Sequence, residues 1–404
     1  MKNFIFSLLL AAMLGGCGDD EATTANAPTP STTSYIGTIS GGAVAPFAPL
    51  MSSASPTSSE DLGMWSISLT SAGTFVVTNA DGLEASGTYE SLDSGFVKLT
   101  VSLFNGEAPS EDMIAYGLNV PGLIFFLAPV NQDGSGEIIP MVSSGTCPSS
   151  EQSFLWSMAG MVDGGDGMTR SCDGTINAEG LDIVGNATIN ANTLTVNNKY
   201  DICNFDQGTA ELGFSCTSGI GTVTNQSTGN LDAIMYLTQG GGAIVKTSPG
   251  GAEEKTIVAL EGEASLAITD LTGDYAGVLF IEGDGTPGSD STKPVAATIA
   301  DGKITVSEWD VETNTAVSDG VSGAIHTFSS NTPGAGFIQG ELDVDGDYIT
   351  LNTHAYVTCQ ADLNANSSGK NIIICVGQAP DGATPISTQG EGSDDAFSLV
   401  LVKK

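Results

Sequence analysis

The chain has 404 residues, with 11 Lys and Arg against 47 Asp and Glu, and its net charge of −36 excludes nucleic acid and anionic lipid surfaces as partners because both would repel it. Only 14% of residues are charged, so the acidity reflects scarcity of Lys and Arg rather than acidic blocks and reads as a solubilising surface. The length admits two or three domains.

The chain opens on Met1-Lys2-Asn3, followed by an apolar stretch from Phe4 to Leu14 broken only by Ser7, then by Gly15, Gly16 and Cys17. A positive start, a short apolar segment and small residues before a cut site make a secretory signal. Spanning a bilayer takes about 20 apolar residues in a helix, so this segment is predicted to be removed rather than folded. Leu14-Gly15-Gly16-Cys17 resembles the lipobox of bacterial lipoproteins. The resemblance is confined to the signal segment. It implies that residues 1–16 are cleaved, that the Cys17 thiol receives a diacylglyceryl group and that the new amino group is acylated. Two or three acyl chains anchor stably where one does not. Gly18, rather than the Asp of inner-membrane retention, implies the outer membrane of a bacterial cell envelope.

Residues 17–33 carry no apolar side chain larger than alanine after the cysteine, and are expected to form a disordered tether. From Ser34 the pattern is all-β. Strands are predicted at Trp65 to Thr70, Thr74 to Thr78, Gly87 to Tyr89, Phe96 to Phe104, Ala115 to Val120 and Leu123 to Pro129. In the clearest, Val97, Leu99, Val101 and Leu103 face one way and Lys98, Thr100 and Ser102 the other. Later strands are expected at Asp182 to Thr188, Thr193 to Asn197, Leu231 to Thr238, Lys255 to Leu260, Tyr275 to Ile281, Lys303 to Trp309, Gly336 to Val344 and Ser398 to Val402. Short spacings imply antiparallel meanders rather than βαβ units. Trp65, Trp156 and Trp309 fall in separate segments, which fits two or three small barrels or sandwiches, with domains over 34–145, 146–265 and 266–404. The glycine-rich stretches Gly240 to Gly251 and Gly283 to Gly288 are the expected seams.

With Cys17 assigned to lipid, six cysteines remain, and an even set in an exported chain reads as disulfides. Tyr348 to Cys359 alternates, and Ile372 to Cys375 resumes as a strand after a polar stretch, so Cys359 is paired with Cys375 across a hairpin. By the same argument Cys203 and Cys216 flank a turn around Asp206-Gln207-Gly208, leaving Cys147 with Cys172.

Asp343, Asp345 and Asp347 look like the start of a calcium loop, but Tyr348 stands where such a loop needs glycine and His354 where it needs glutamate. Asp345-Gly346 reads instead as a two-residue hairpin turn, and Asp163 to Gly167 and Gly283 to Gly285 as loops. His326 and His354 are each isolated from any carboxylate or serine motif, with His354 on the polar, solvent-facing side of its strand. No nucleophile elbow, zinc-protease helix, Walker loop or dinucleotide fingerprint occurs. The expectation is therefore a non-enzymatic, membrane-anchored binding or structural protein without a cofactor, meeting an envelope protein, a glycan or a small apolar ligand. Two other readings compete. The meander after Trp65 could close into a lipocalin-like barrel around an apolar molecule, and two carboxylates ~5 to 10 Å apart across a cleft could cleave a glycan. A membrane-spanning barrel fits poorly, since the strands are short and aromatic girdles are missing.

Overall fold

The computed structural model describes residues 31–38, 64–79, 82–110, 112–129, 138–143, 145, 147–158, 183–200, 206–238, 241–247, 255–262, 266–281, 291–318, 320–327, 336–343, 355–363, 365, 368–379 and 395–404. They fold as three antiparallel meanders. The first is a closed barrel of β1 (Thr32–Thr38), β2 (Met64–Thr70), β3 (Thr74–Asn79), β4 (Glu84–Ser91), β5 (Val97–Phe104), β6 (Ile114–Val120), β7 (Ile124–Pro129) and β8 (Ile139–Ser143). The second closes β9 (Gln152–Met158), β10 (Ile183–Asn190), β11 (Thr193–Tyr200), β12 (Asp206–Thr217), β13 (Ile220–Thr224), β14 (Leu231–Leu237), β15 (Gly242–Thr247) and β16 (Lys255–Leu260). The third comprises β17 (Gly273–Ile281), β18 (Ser291–Ala300), β19 (Lys303–Asp310), β20 (Thr315–Ala316), β21 (Ser322–Thr327), β22 (Phe337–Asp343), β23 (Ala355–Asp362), β24 (Ile372–Ala379) and β25 (Asp395–Lys403). Because β18 pairs with both β17 and β19, this sheet also runs round on itself, with the short β20 hanging from β19.

Each barrel is filled by its own side chains. Tyr35, Trp65, Phe75, Leu99, Phe125 and Met141 are among those buried in the first. Phe154, Phe214, Met235 and Leu237 pack the second. Tyr275, Ile299, Val357, Ile373 and Leu401 pack the third. Where no neighbouring barrel covers them, outward positions carry hydroxyl and amide side chains that bond across strands. Ser34 and Ser68 approach at 2.9 Å, Ser66 and Thr78 at 2.6 Å, Ser153 and Thr188 at 3.0 Å, and Asn197 donates to Asn186 at 2.7 Å. This polarity is the reverse of a membrane-spanning barrel, whose outward band is apolar.

A fourth apolar cluster lies between the barrels. Phe126, Leu118 and Ile124 from the first meet Ile234, Tyr236 and Ile244 from the second and Val278, Ile374 and Val400 from the third. Strands that reach it are buried on both faces and read as unbroken apolar runs, such as 123–128, 233–237 and 372–376.

The floors of the first and third barrels are tied by tyrosines on their first strands. The Tyr35 hydroxyl donates to Asn119 Oδ1 at 2.8 Å and accepts from the Gly122 amide at 3.4 Å. The Tyr275 hydroxyl donates to the Leu271 carbonyl at 2.6 Å and accepts from Asn371 Nδ2 at 3.4 Å. Burial is the main cause that raises the pKa of both phenols. The corresponding inward position of β9 holds Phe154, which has no hydroxyl to offer.

Several expectations are corrected. β1 begins at Thr32, so Thr32 and Thr33 belong to the first barrel rather than to a tether. The glycine-rich stretch 240–251 holds β15, paired on both sides inside the second barrel, and 283–288 lies between β17 and β18, which pair from Ile281 to Ser291. Glycine marks hairpin turns here, as at Asp301-Gly302, where both residues have positive φ (52° and 76°). The chain crosses between barrels at 144–151 and 261–272 instead. Leu103 is 45% exposed because a bulge opposes Ser86 to Leu103 and Gly87 to Val101, spending Ser102 and reversing the alternation beyond it. Leu342 pairs with Ala355, where a two-residue turn at Asp345-Gly346 would set it opposite Ile349.

Candidate functional site

Ionisable and aromatic groups converge where the third barrel reaches back to the first. The segment after β19 turns at Asp310, whose Oδ1 accepts the Glu312 and Thr313 amides, both at 3.0 Å. These bonds, Thr313 foremost, hold the Asp310 carboxyl below its usual pKa. The turn drives Val311 into the inter-barrel cluster, where its carbonyl accepts from the buried Ser94 hydroxyl at 3.3 Å. Glu312 then receives Lys98 Nζ of β5 at 2.7 Å and the Tyr116 hydroxyl of β6. Lys98 and then Tyr116 lower the Glu312 pKa, while burial and the carboxylate beside it raise that of Tyr116. Nearby, Glu308 accepts the Val321 amide at 3.0 Å and faces Lys293 at 3.7 Å, and Lys404 Nζ stands 5.3 Å from the centre of the Trp309 ring. Trp309 Nε1 donates to Asn314 Oδ1 at 3.2 Å.

All three carboxylates thus accept hydrogen bonds that fix the chain. A glycosidase acid needs a raised pKa, whereas Asp310 and Glu312 are held ionised. The arrangement works as a clip between barrels. Sequence reasoning passed over Lys98, Tyr116 and Glu312. The available signal was the acidic run Glu308, Asp310, Glu312 in a chain where each lysine is scarce.

A pH dependence follows from the lowered Glu312 pKa. Its contribution is complete above the unfolded carboxylate value of about 4.3 and is lost as pH falls through the lower folded one. Because Glu312 is 44% exposed, Glu312→Gln is expected to cost about 0.2 to 1 kcal/mol at pH 7, and nothing once wild type is protonated. Urea midpoints of the two proteins along a series from pH 7 downward check this, the difference between them shrinking as Glu312 of wild type takes up its proton.

The predicted site residues scatter. Cys359 and Cys375 sit directly opposite each other on β23 and β24, are bonded, and face the third barrel's interior. Cys216 is bonded to Cys147, not to Cys203. The expected turn at Asp206-Gln207-Gly208 is the start of β12, and Cys216 lies roughly 30 Å further along it at about 3.3 Å per residue. Three peptide steps back to Cys203 recover at most about 11 Å. The pairing of Cys147 with Cys172 falls with it, and Cys172 and Cys203 lie outside the described residues. So do Cys17, Asp345, Asp347, His354 and the loop Asp163 to Gly167. Asp343 ends β22 opposite Ala324. His326 lies at an exposed position of β21, between Lys303 and Glu341. Thr358, which the alternation of Tyr348 to Cys359 sets on the same side as His354 and so toward solvent, is fully buried where the third barrel meets the second, and its neighbour Gln360 donates to the Val258 carbonyl at 2.8 Å. Among the described residues no helix is long and apolar enough to cross a membrane.

No protein-family profile matches the chain, and no curated protein does. Among solved structures, two variants of the vaccine antigen transferrin binding protein B from Haemophilus parasuis Hp5 align with 84% of this chain. The single-substitution variant does so at 8% identity and a TM-score of 0.23, the double-substitution variant at 7% and 0.24. The chain spans 65% of the length of those structures. A likeness this distant carries nothing about fold family or partner.

Proposed function

We propose that the protein is an exported lipoprotein, anchored through Cys17 at the bacterial cell envelope, preferentially the outer membrane, where its three-barrel body serves a binding or structural role. The observation that carries the reading of the body is the filling of each barrel by its own side chains. A partner, whether an envelope protein or a glycan, then meets the outside of the barrels and the connections that leave them. Connection lengths favour one rim. In the first two barrels that rim carries 39–63 and 159–182, whereas the opposite one has tight turns at 71–73, 121–123, 191–192 and 218–219. The filled interiors weigh against the lipocalin-like carrier, and the ionised carboxylates of the clip weigh against glycan cleavage at that place.

Intact mass and membrane partition of wild type beside Cys17→Ser test the anchor. Wild type is expected to carry acyl mass and to sediment with membranes, while the variant is expected to retain the signal, lack acyl mass and lose the acyl-dependent fraction. Unacylated wild type that stays in the supernatant would sink the reading.

A further inference from the structure

The floor of the second barrel lacks the tyrosine tie of the other two and is covered instead by the segment that arrives from the first. Ser143, the last residue of β8, shares a hydrogen bond of 2.6 Å with Thr238, just past β14. Gly145 then presses so closely on this end of the second barrel that a β-carbon there would fall 2.2 Å from the Leu237 carbonyl oxygen. Its own carbonyl lies against the turn at Gly219, where φ is +81°. Two residues on, Cys147 Sγ accepts from the Gly219 amide at 3.4 Å and is bonded to Cys216 of β12. The two disulfides of the described residues therefore differ in kind. Cys359 and Cys375 are 1% and 0% exposed inside a barrel, whereas Cys147 and Cys216 are half-buried at a rim.

We propose that Cys147–Cys216 is a reducible clasp that fixes the hand-over from the first barrel to the second, and that a dithiol opens it while Cys359–Cys375 stays closed. A thiolate of the dithiol attacks one sulfur of the clasp, forming a mixed disulfide and releasing the other cysteine as a thiolate that takes up a proton. The second thiol of the same molecule then attacks its own partner sulfur in the mixed disulfide and expels the remaining cysteine as a thiolate that takes up a proton, so the dithiol leaves as a disulfide and both cysteines end as thiols, with two electrons and two protons transferred. Access decides which bond reacts, because the attacking sulfur must approach along the S–S axis. The sheet wall of the third barrel blocks that approach to Cys359 and Cys375. Opening the clasp frees residues 144–151 from the floor of the second barrel, while the strand pairings of both barrels persist.

The experiment treats the intact protein with dithiothreitol under native conditions, alkylates at intervals and maps the modified cysteines by mass. Cys147 and Cys216 are expected to be labelled at least 10-fold faster than Cys359 and Cys375, with the β-sheet circular dichroism unchanged. Proteinase K is expected to cut within 144–151 only after reduction. A Cys147→Ser, Cys216→Ser double variant should be cut there without reductant. Equal labelling of both pairs, a clasp that resists until the protein unfolds, or a crossing segment equally protected before and after reduction would overturn the proposal. Should the double variant fail to fold, the labelling rates of wild type decide alone.

Discussion

Phe126→Asp is expected to destabilise the protein by more than about 4 kcal/mol, while Val76→Asp, the same kind of change on the same barrel, costs less than about 0.5 kcal/mol. Both side chains point out of the first barrel. Val76, on β3, is 40% exposed and lies between Ser68 and Ser86 on the neighbouring strands. A carboxylate there keeps its water. Phe126, on β7, is 1% exposed because its ring enters the cluster shared with Tyr236 of the second barrel and Ile374 of the third. A carboxylate at that place is stripped of water among the apolar side chains of the cluster, and it opens a void where the ring was. Urea denaturation followed by circular dichroism measures both variants. A second consequence separates this picture from three independent domains: wild type should unfold in one transition, since removing any barrel exposes the apolar faces of the other two. If Phe126→Asp melts like Val76→Asp, or if wild type shows three steps, the central cluster does not bind the barrels into one unit.

Strands were legible in the sequence where alternation or turn residues bounded them, whether one face is wet, as on β2, β3 and β11, or both are covered, as on β6, β7 and β14. β2, β3, β6, β11, β16 and β19 alternate or sit between clear turn residues, and their positions followed from period and turn chemistry alone. Alternation misled wherever a second layer covered the outer face. Thr358 follows the period of β23 faithfully, yet its polar side is buried against the second barrel. The apolar runs 123–128 and 372–376 carried the missing information, because a strand that needs apolar residues on both faces must be covered on both. Leu103 failed for a different reason. One inserted residue reverses the facing of everything after it, and nothing in Ser102 announces the bulge.

The same distinction explains the cysteines. Cys359 and Cys375 were placed by register within one hairpin, a local property that period and turn determine. Cys147 and Cys216 are 69 residues apart and meet only because the crossing between barrels folds back over a floor, which no local pattern encodes. The clip at Glu312 is non-local in the same way, since its partners Lys98 and Tyr116 come from the far end of the chain. What the sequence could report was composition: in a chain with 11 Lys and Arg, a lysine alternating with buried residues on β5 has few reasons to be there besides a carboxylate.

Phe125→Ala is the change expected to convert a filled barrel into a hollow one, at a cost of about 3 to 5 kcal/mol. Phe125 is fully buried inside the first barrel, its ring centre 5.8 Å from that of Tyr35 and inclined to it at 46°. It fills the space above Gly117 on the adjoining strand, where a β-carbon would come within 2.3 Å of the Phe125 Cζ atom. Ring and glycine are thus two halves of one fit, and their substitutions should be coupled. Gly117→Ala alone collides with the ring, whereas in the Phe125→Ala background the added methyl enters vacated space, so the double variant is expected to be more stable than the sum of the two losses predicts. Because the surrounding Ile67, Phe75, Leu99 and Met141 are apolar, the void should stay dry and accept a small apolar probe such as benzene. Wild type should bind none. Calorimetric titration of benzene into both proteins then decides between a packed scaffold and a carrier: uptake by Phe125→Ala alone means that the ring occupies what would otherwise be the pocket, while equal uptake by wild type would restore the carrier reading for this barrel.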